Sequence, residues 1–172
     1  RDQIPHGRTR EQLDSRAIYL WYRQSPRPLE HATFTLVPRL SPRDPPLQYS
    51  GDALVLVDSE GRLRRLEVLA PQAIVDTPDR KVDWTLLFTA AGLDIGPWRP
   101  AAPRWNPLFY GDERASWEGT LRPSEGPARI EAAAYRGVPV WFDVVLSTAQ
   151  PSREPRGAPS ARTPLDIRSG FV

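Results

Sequence analysis

The stretch 129–146, RIEAAAYRGVPVWFDVVL, limits the fold of this chain more than any other. Ile130, Ala132 and Ala134 alternate with Arg129, Glu131, Ala133 and Tyr135. Beyond Arg136-Gly137, Val138, Val140, Phe142, Val144 and Leu146 alternate with Pro139, Trp141, Asp143 and Val145. Successive side chains of a strand point to opposite faces, so this alternation on both sides of a glycine turn predicts a β-hairpin with one buried face. Pro139 cannot donate to a ladder and belongs at the start or on the edge of its strand.

The rest of the chain supplies further elements for that hairpin to pack with. ALVLVD (53–58), the turn residues Ser59, Glu60 and Gly61, and the return over 63–69 predict a second hairpin. Its return strand carries Arg64, Arg65 and Glu67 just after Arg62, so one face is expected to be solvated. Thr9 and Gln12 fit a capping box, and Leu13, Ala17, Leu20 and Trp21 follow at helical spacing. They predict a helix that ends before Ser25-Pro26. Asp83 is a good N-cap, Trp84, Leu87, Phe88 and Ala91 form one helical stripe, and Gly92 stops it. Proline-rich segments at 31–50 and 97–107 read as extended arms, with Phe34, Leu36 and Val37 hinting at a short strand, 75–82 as a loop and 114–121 as a strand.

Helix, arm and meander thus occur in the same order twice, over 9–70 and 83–146, which reads as an internal α–β repeat. The expected class is α+β: antiparallel hairpins and meanders with two short helices packed on one face. Residues 1–148 form the domain in this reading, and 149–172, rich in Pro, Ser, Ala and Arg, form a flexible linker.

Little in the chain points to chemistry. Cysteine is absent and the histidines are His6 and His31, too few for a zinc site or for a choice of catalytic triads. No glycine motif for phosphates or dinucleotides occurs. Asp58-Ser59-Glu60-Gly61 lacks the spaced oxygens and closing Glu of a calcium loop, so a hairpin turn is the plain reading. Asp112-Glu113 and Asp143 with Glu131 are paired carboxylates, but general acid catalysis needs burial or a close like charge to shift a pKa, and sequence shows neither. The basic residues are 22 arginines and Lys81, interspersed with acids, whereas nucleic acid wants a basic stripe. Arg23 and Arg27 flank Ser25-Pro26 and fit either an anion or nearby acids. No run reaches the ~18–20 apolar residues of a membrane span. The absence of methionine and the start at Arg1 suggest a piece of a longer protein.

Six tryptophans remain. Trp21, Trp84 and Trp117 fit core packing, while Trp141 lies on the face opposite Phe142. Trp98 and Trp105 sit in the second arm, where each either pins it to the sheet or lines a groove. The groove to look for lies between 97–107 and the exposed face of the hairpins, with Trp98, Trp105, Tyr135 and Arg136 as lining.

Five segments in matching order carry a resemblance: LWYRQSPRPL (20–29), DPPLQYSGDALVLVDSEGRLRRLEVLAPQ (44–72), DWTLLFTAAGLD (83–94), PAAPRWNP (100–107) and DERASWEGTLRPSEGPARIEAAAYRGVPVWFDVV (112–145). Together they resemble the extracytoplasmic region of bacterial eukaryotic-like membrane Ser/Thr protein kinases. The kinase motifs themselves, a Gly-rich loop, VAIK, HRD and DFG, are not in these residues. The resemblance implies a non-catalytic sensor or assembly domain on the extracytoplasmic side of a bacterial membrane. Its tether, its kinase domain and the ATP and magnesium of that domain would lie outside the chain. Its partner would be an unidentified ligand or envelope protein, with no cofactor and no nucleic acid. The alternative reading is a periplasmic binding or scaffold domain with no kinase connection.

Overall fold

A computed structural model describes residues 18–30, 41–74, 80–122, 125–149 and 153. It corrects the expected class. The described residues are mostly one seven-stranded antiparallel sheet, and their single helix is six residues long. The strands are β1 (Tyr19–Gln24), β2 (Ala53–Asp58), β3 (Leu63–Val68), β4 (Arg99–Ala101), β5 (Glu113–Thr120), β6 (Pro127–Tyr135) and β7 (Val138–Leu146); the helix, α1 (Thr85–Ala90), falls between β3 and β4. Their spatial order is β1-β2-β3-β7-β6-β5-β4. Two meanders, β1–β3 and β4–β7, therefore meet at one non-sequential joint, where β3 pairs with β7 through Arg65–Asp143, Leu66–Phe142 and Glu67–Trp141. They are not α–β repeats, because the first has no helix among its described residues.

The first expected helix is the main departure. Thr9, Leu13 and Ala17 lie outside the described residues, but Leu20 and Trp21 belong to β1, paired with Val57 and Leu56. Aromatic residues favour a pleated surface, and Tyr19, Trp21 and Tyr22 are crowded into this run. The edge of β2 offers six partners, whereas a short isolated helix is marginal without tertiary support. Phe34 to Val37 and most of the expected linker from 149 also lie outside the described residues.

Other elements follow the local signals. Asp83 Oδ1 accepts from the Thr85 amide at 3.0 Å at the start of α1. Leu87 and Phe88 are its buried residues. At its end Gly92, at φ +67°, lets the Leu93 amide donate to the Phe88 carbonyl and the Gly92 amide to the Thr89 carbonyl. That is the double hydrogen bond of a Schellman stop. The β6–β7 turn is Arg136-Gly137 with φ of 50° and 78°, the pair of positive values a two-residue type I′ hairpin requires.

The main core lies between α1 and one face of the sheet. It holds Phe88, Trp98, Trp117, Ile130, Ala132 and Phe142 among others. The ring of Phe88 meets Trp117 edge-on at 5.1 Å and Trp98 at 6.0 Å between centroids. The ring of Trp98 lies against Gly119 of β5. A smaller apolar cluster, Ala70, Ala133, Val140 and Trp141, forms on the opposite face. Val140 departs from the alternation read in the sequence because Ala134 pairs with Pro139 and Ala133 with Trp141, so Val140 is the extra residue of a bulge. Both faces of β6 are consequently buried, not one.

Candidate functional site

The face opposite α1 is covered by the two proline-rich segments. The 41–46 segment crosses β1 and β2, where the buried Arg23 donates to the carbonyls of Pro42 at 3.0 Å and Pro45 at 2.7 Å. Arg23 thus binds backbone, while Arg27 lies over the Tyr49 ring, 4.6 Å from its centroid. The second segment, 102–106, is strapped onto β5 and β6. The Arg129 guanidinium donates to the Ala102 carbonyl at 2.7 Å and to Ser116 Oγ at 2.9 Å, and it also pairs with Glu118. The Arg104 amide donates to Glu131 Oε1 at 3.1 Å, the same oxygen that accepts from Arg129 Nε at 3.2 Å.

Between these two segments runs a cleft of about 600 Å³. Its floor is the joint of the two meanders: Arg65 and Glu67 from β3, Trp141 and Asp143 from β7. Arg43 stands on one wall, and Arg104, Trp105 and Leu108 stand on the other. A second hollow, of about 520 Å³ beside Tyr49, Ala70 and Tyr110, has no charged lining residue.

The floor is electrostatically organised. Arg65 grips Asp143 with two hydrogen bonds, Nε to Oδ1 at 3.2 Å and an Nη to Oδ2 at 2.8 Å. Burial pushes the Asp143 carboxyl above its ordinary value, with Glu67 adding to the rise, and Arg65 only partly offsets this. Arg43 donates to Glu67 Oε1 at 2.9 Å. Glu67 is 5% exposed, and its Oε2 has no hydrogen-bond partner among the described residues. The expectation that Arg62, Arg64, Arg65 and Glu67 form a solvated face is therefore corrected: Glu67 is buried, and the arginines are at least half-buried in ion pairs.

Of the four lining residues expected from sequence, Trp105 stands on the wall of this cleft. Trp98 is buried in the core on the α1 face. Tyr135 sits at the β6–β7 turn, its ring edge-on to Tyr110 at 6.0 Å. Arg136 occupies that turn, its amide donating to the Asp112 carboxylate. The paired acids Glu131 and Asp143 are direct cross-strand neighbours. Sequence reasoning missed Arg43, Arg65, Glu67 and Arg104. The available signal was the two-residue spacing of Arg65 with Glu67 and of Trp141 with Asp143, which puts each pair on one strand face.

Asp58 closes the β2–β3 turn, accepting from the Glu60 amide at 2.9 Å, the Arg62 amide at 3.0 Å and Arg62 Nε at 2.8 Å. His6 and His31 lie outside the described residues. Among the described residues no three His, Cys, Asp or Glu side chains come together as a metal site, and no helix is long and apolar enough to cross a membrane. No protein-family model, curated protein or solved structure matches the chain.

Proposed function

We propose that this chain is a non-catalytic binding domain, the extracytoplasmic sensor or assembly module of a membrane Ser/Thr protein kinase. The reading is carried by the cleft at the β3–β7 joint. A ligand there touches both meanders at once, along with both proline-rich segments. A ligand that binds one arrangement of these parts better than another shifts the balance between them, and only such differential affinity can do so. Attached membrane segments would carry that bias to a kinase domain, where ATP and magnesium belong.

The kinase assignment rests on the five resembling segments. Arg65, Glu67, Arg104, Trp105, Trp141 and Asp143 fall within them, so the floor of the cleft and part of one wall are built from residues of the resembling segments, while Arg43, Leu108 and Arg153 lie outside them. The floor acids are held in ion pairs, as suits recognition.

The test is made on the native gene product, tagged at its own locus. It is expected in the membrane fraction, with the tagged domain open to protease from the outer side and the purified polypeptide phosphorylating itself. A product that remains in the soluble fraction and takes up no phosphate refutes the assignment.

A further inference from the structure

We propose that this chain pairs with a second copy of itself through the outer edge of β1, in a two-fold register that sets Leu20 opposite its own counterpart. The pairing does not depend on what the cleft receives or on the kinase reading.

Among the described residues the sheet ends at β1 on one side and at β4 on the other. The two edges differ. β4 is three residues long with Pro100 at its centre, which blunts it as a template for another strand. β1 pairs with β2 through six residues without a bulge. Its outer edge carries none of the usual protection: residues 18–22, Ile-Tyr-Leu-Trp-Tyr, hold no charge, no proline and no glycine. All five side chains are between 38% and 62% exposed. Tyr19 and Trp21 alternate with Leu20 and Tyr22, so the exposed apolar surface occupies both faces of the strand. An extended edge with apolar side chains above and below suits another strand of the same kind.

The sequence of the edge names a second copy as that strand. Opposed residues of an antiparallel pair share a face, so a two-fold axis between identical strands sets one residue opposite its own counterpart. With Leu20 on the axis, Ile18 faces Tyr22 of the other copy on one side of the sheet and Tyr19 faces Trp21 on the other. All five exposed residues then meet apolar partners. With Trp21 on the axis, Tyr19 would face Arg23, whose guanidinium is engaged with the carbonyls of Pro42 and Pro45, and Ile18 would face Gln24. At the exposures above, the five side chains show about 500 Å² on each copy, so covering both sets approaches the ~1,000 Å² of a small specific interface. An interface of that size predicts a reversible dimer.

The experiment measures the mass of the whole chain by sedimentation equilibrium from about 1 µM to 1 mM, where a dimer with a Kd of roughly 1–100 µM is expected. Leu20→Lys opposes two like charges on the axis and should weaken the dimer at least about tenfold. Its site is exposed, so the far-UV circular dichroism should not change. Ile18→Lys and Tyr22→Glu should each weaken it as well, while the two together restore it, because positions 18 and 22 face each other across the axis. The chain has no cysteine, so Leu20→Cys should be joined to its copy by mild oxidation or a short thiol cross-linker, and Leu86→Cys, at an equally exposed position on α1, should not. A monomer up to about 1 mM overturns the proposal. So does a dimer that survives Leu20→Lys, which would place the contact elsewhere, and so does a Leu20→Cys chain that cross-links no faster than Leu86→Cys.

Discussion

Replacing Gly119 by alanine tests how the second proline-rich segment is anchored. Trp98, just before β4, is 6% exposed and lies flat against β5. A Cβ built on Gly119 would come within 2.7 Å of Trp98 Cε3 and 2.8 Å of Cδ2. The indole is rigid and backed by Phe88, so the methyl group must displace the whole ring. Overpacking of this kind costs about 1–3 kcal/mol. Trp98→Ala alone removes a buried indole and costs about 3–5 kcal/mol. Were the two independent, the double variant would lose about 4–8 kcal/mol. With the ring gone, however, the new methyl occupies vacated space, and alanine in place of glycine in a strand is worth about 0.5–1 kcal/mol. The double variant should therefore be no less stable than Trp98→Ala, leaving a coupling of about 2 kcal/mol or more, well beyond the ~0.3–0.5 kcal/mol scatter of independent sites. Urea unfolding followed by far-UV circular dichroism gives the four stabilities. If Gly119→Ala costs the same with and without Trp98, the indole does not pin this segment to β5, and the description of the core is wrong.

Two further predictions concern buried charges. Burial works against the Asp58 charge, but hydrogen bonds from Arg62 and from the Arg62 and Glu60 amides outweigh it and hold its pKa below the ordinary value. Its stabilising effect is therefore complete above the unfolded pKa of about 3.9 and disappears as pH falls through the lower folded value. Asp58→Ala should cost about 3–5 kcal/mol at pH 7, with a flatter stability profile below pH ~4; a parallel profile would show that Asp58 is not the titrating group. Arg129→Ala should free the 102–106 segment and leave Glu131 buried without its cation, again at about 3–5 kcal/mol. Trypsin should then cut faster after Arg104 under native conditions, and an unchanged rate would mean the strap does not hold the segment.

The locally encoded elements are legible in particular residues. The β6–β7 hairpin was visible because its turn is two residues long and both arms alternate around it. The short helix was visible because Asp83, the stripe from Trp84 to Ala91 and Gly92 act within a few residues of one another. Segment 19–24 was different. Its aromatic content favours a strand and its Leu20 and Trp21 extend a helical spacing, and the choice depended on the free edge of β2 some thirty residues away.

The cleft belongs wholly to the second kind. The sequence by itself determined that Arg65 and Glu67 share a face of one strand, and that Trp141 and Asp143 share a face of another, because alternation is a property of the chain. It did not determine that these faces become one floor. Arg65 and Asp143 are separated by 78 positions, and they meet because β3 pairs with β7. That pairing is decided when two meanders bury their apolar faces against α1 together, and the ion pairs on the reverse side follow from its register.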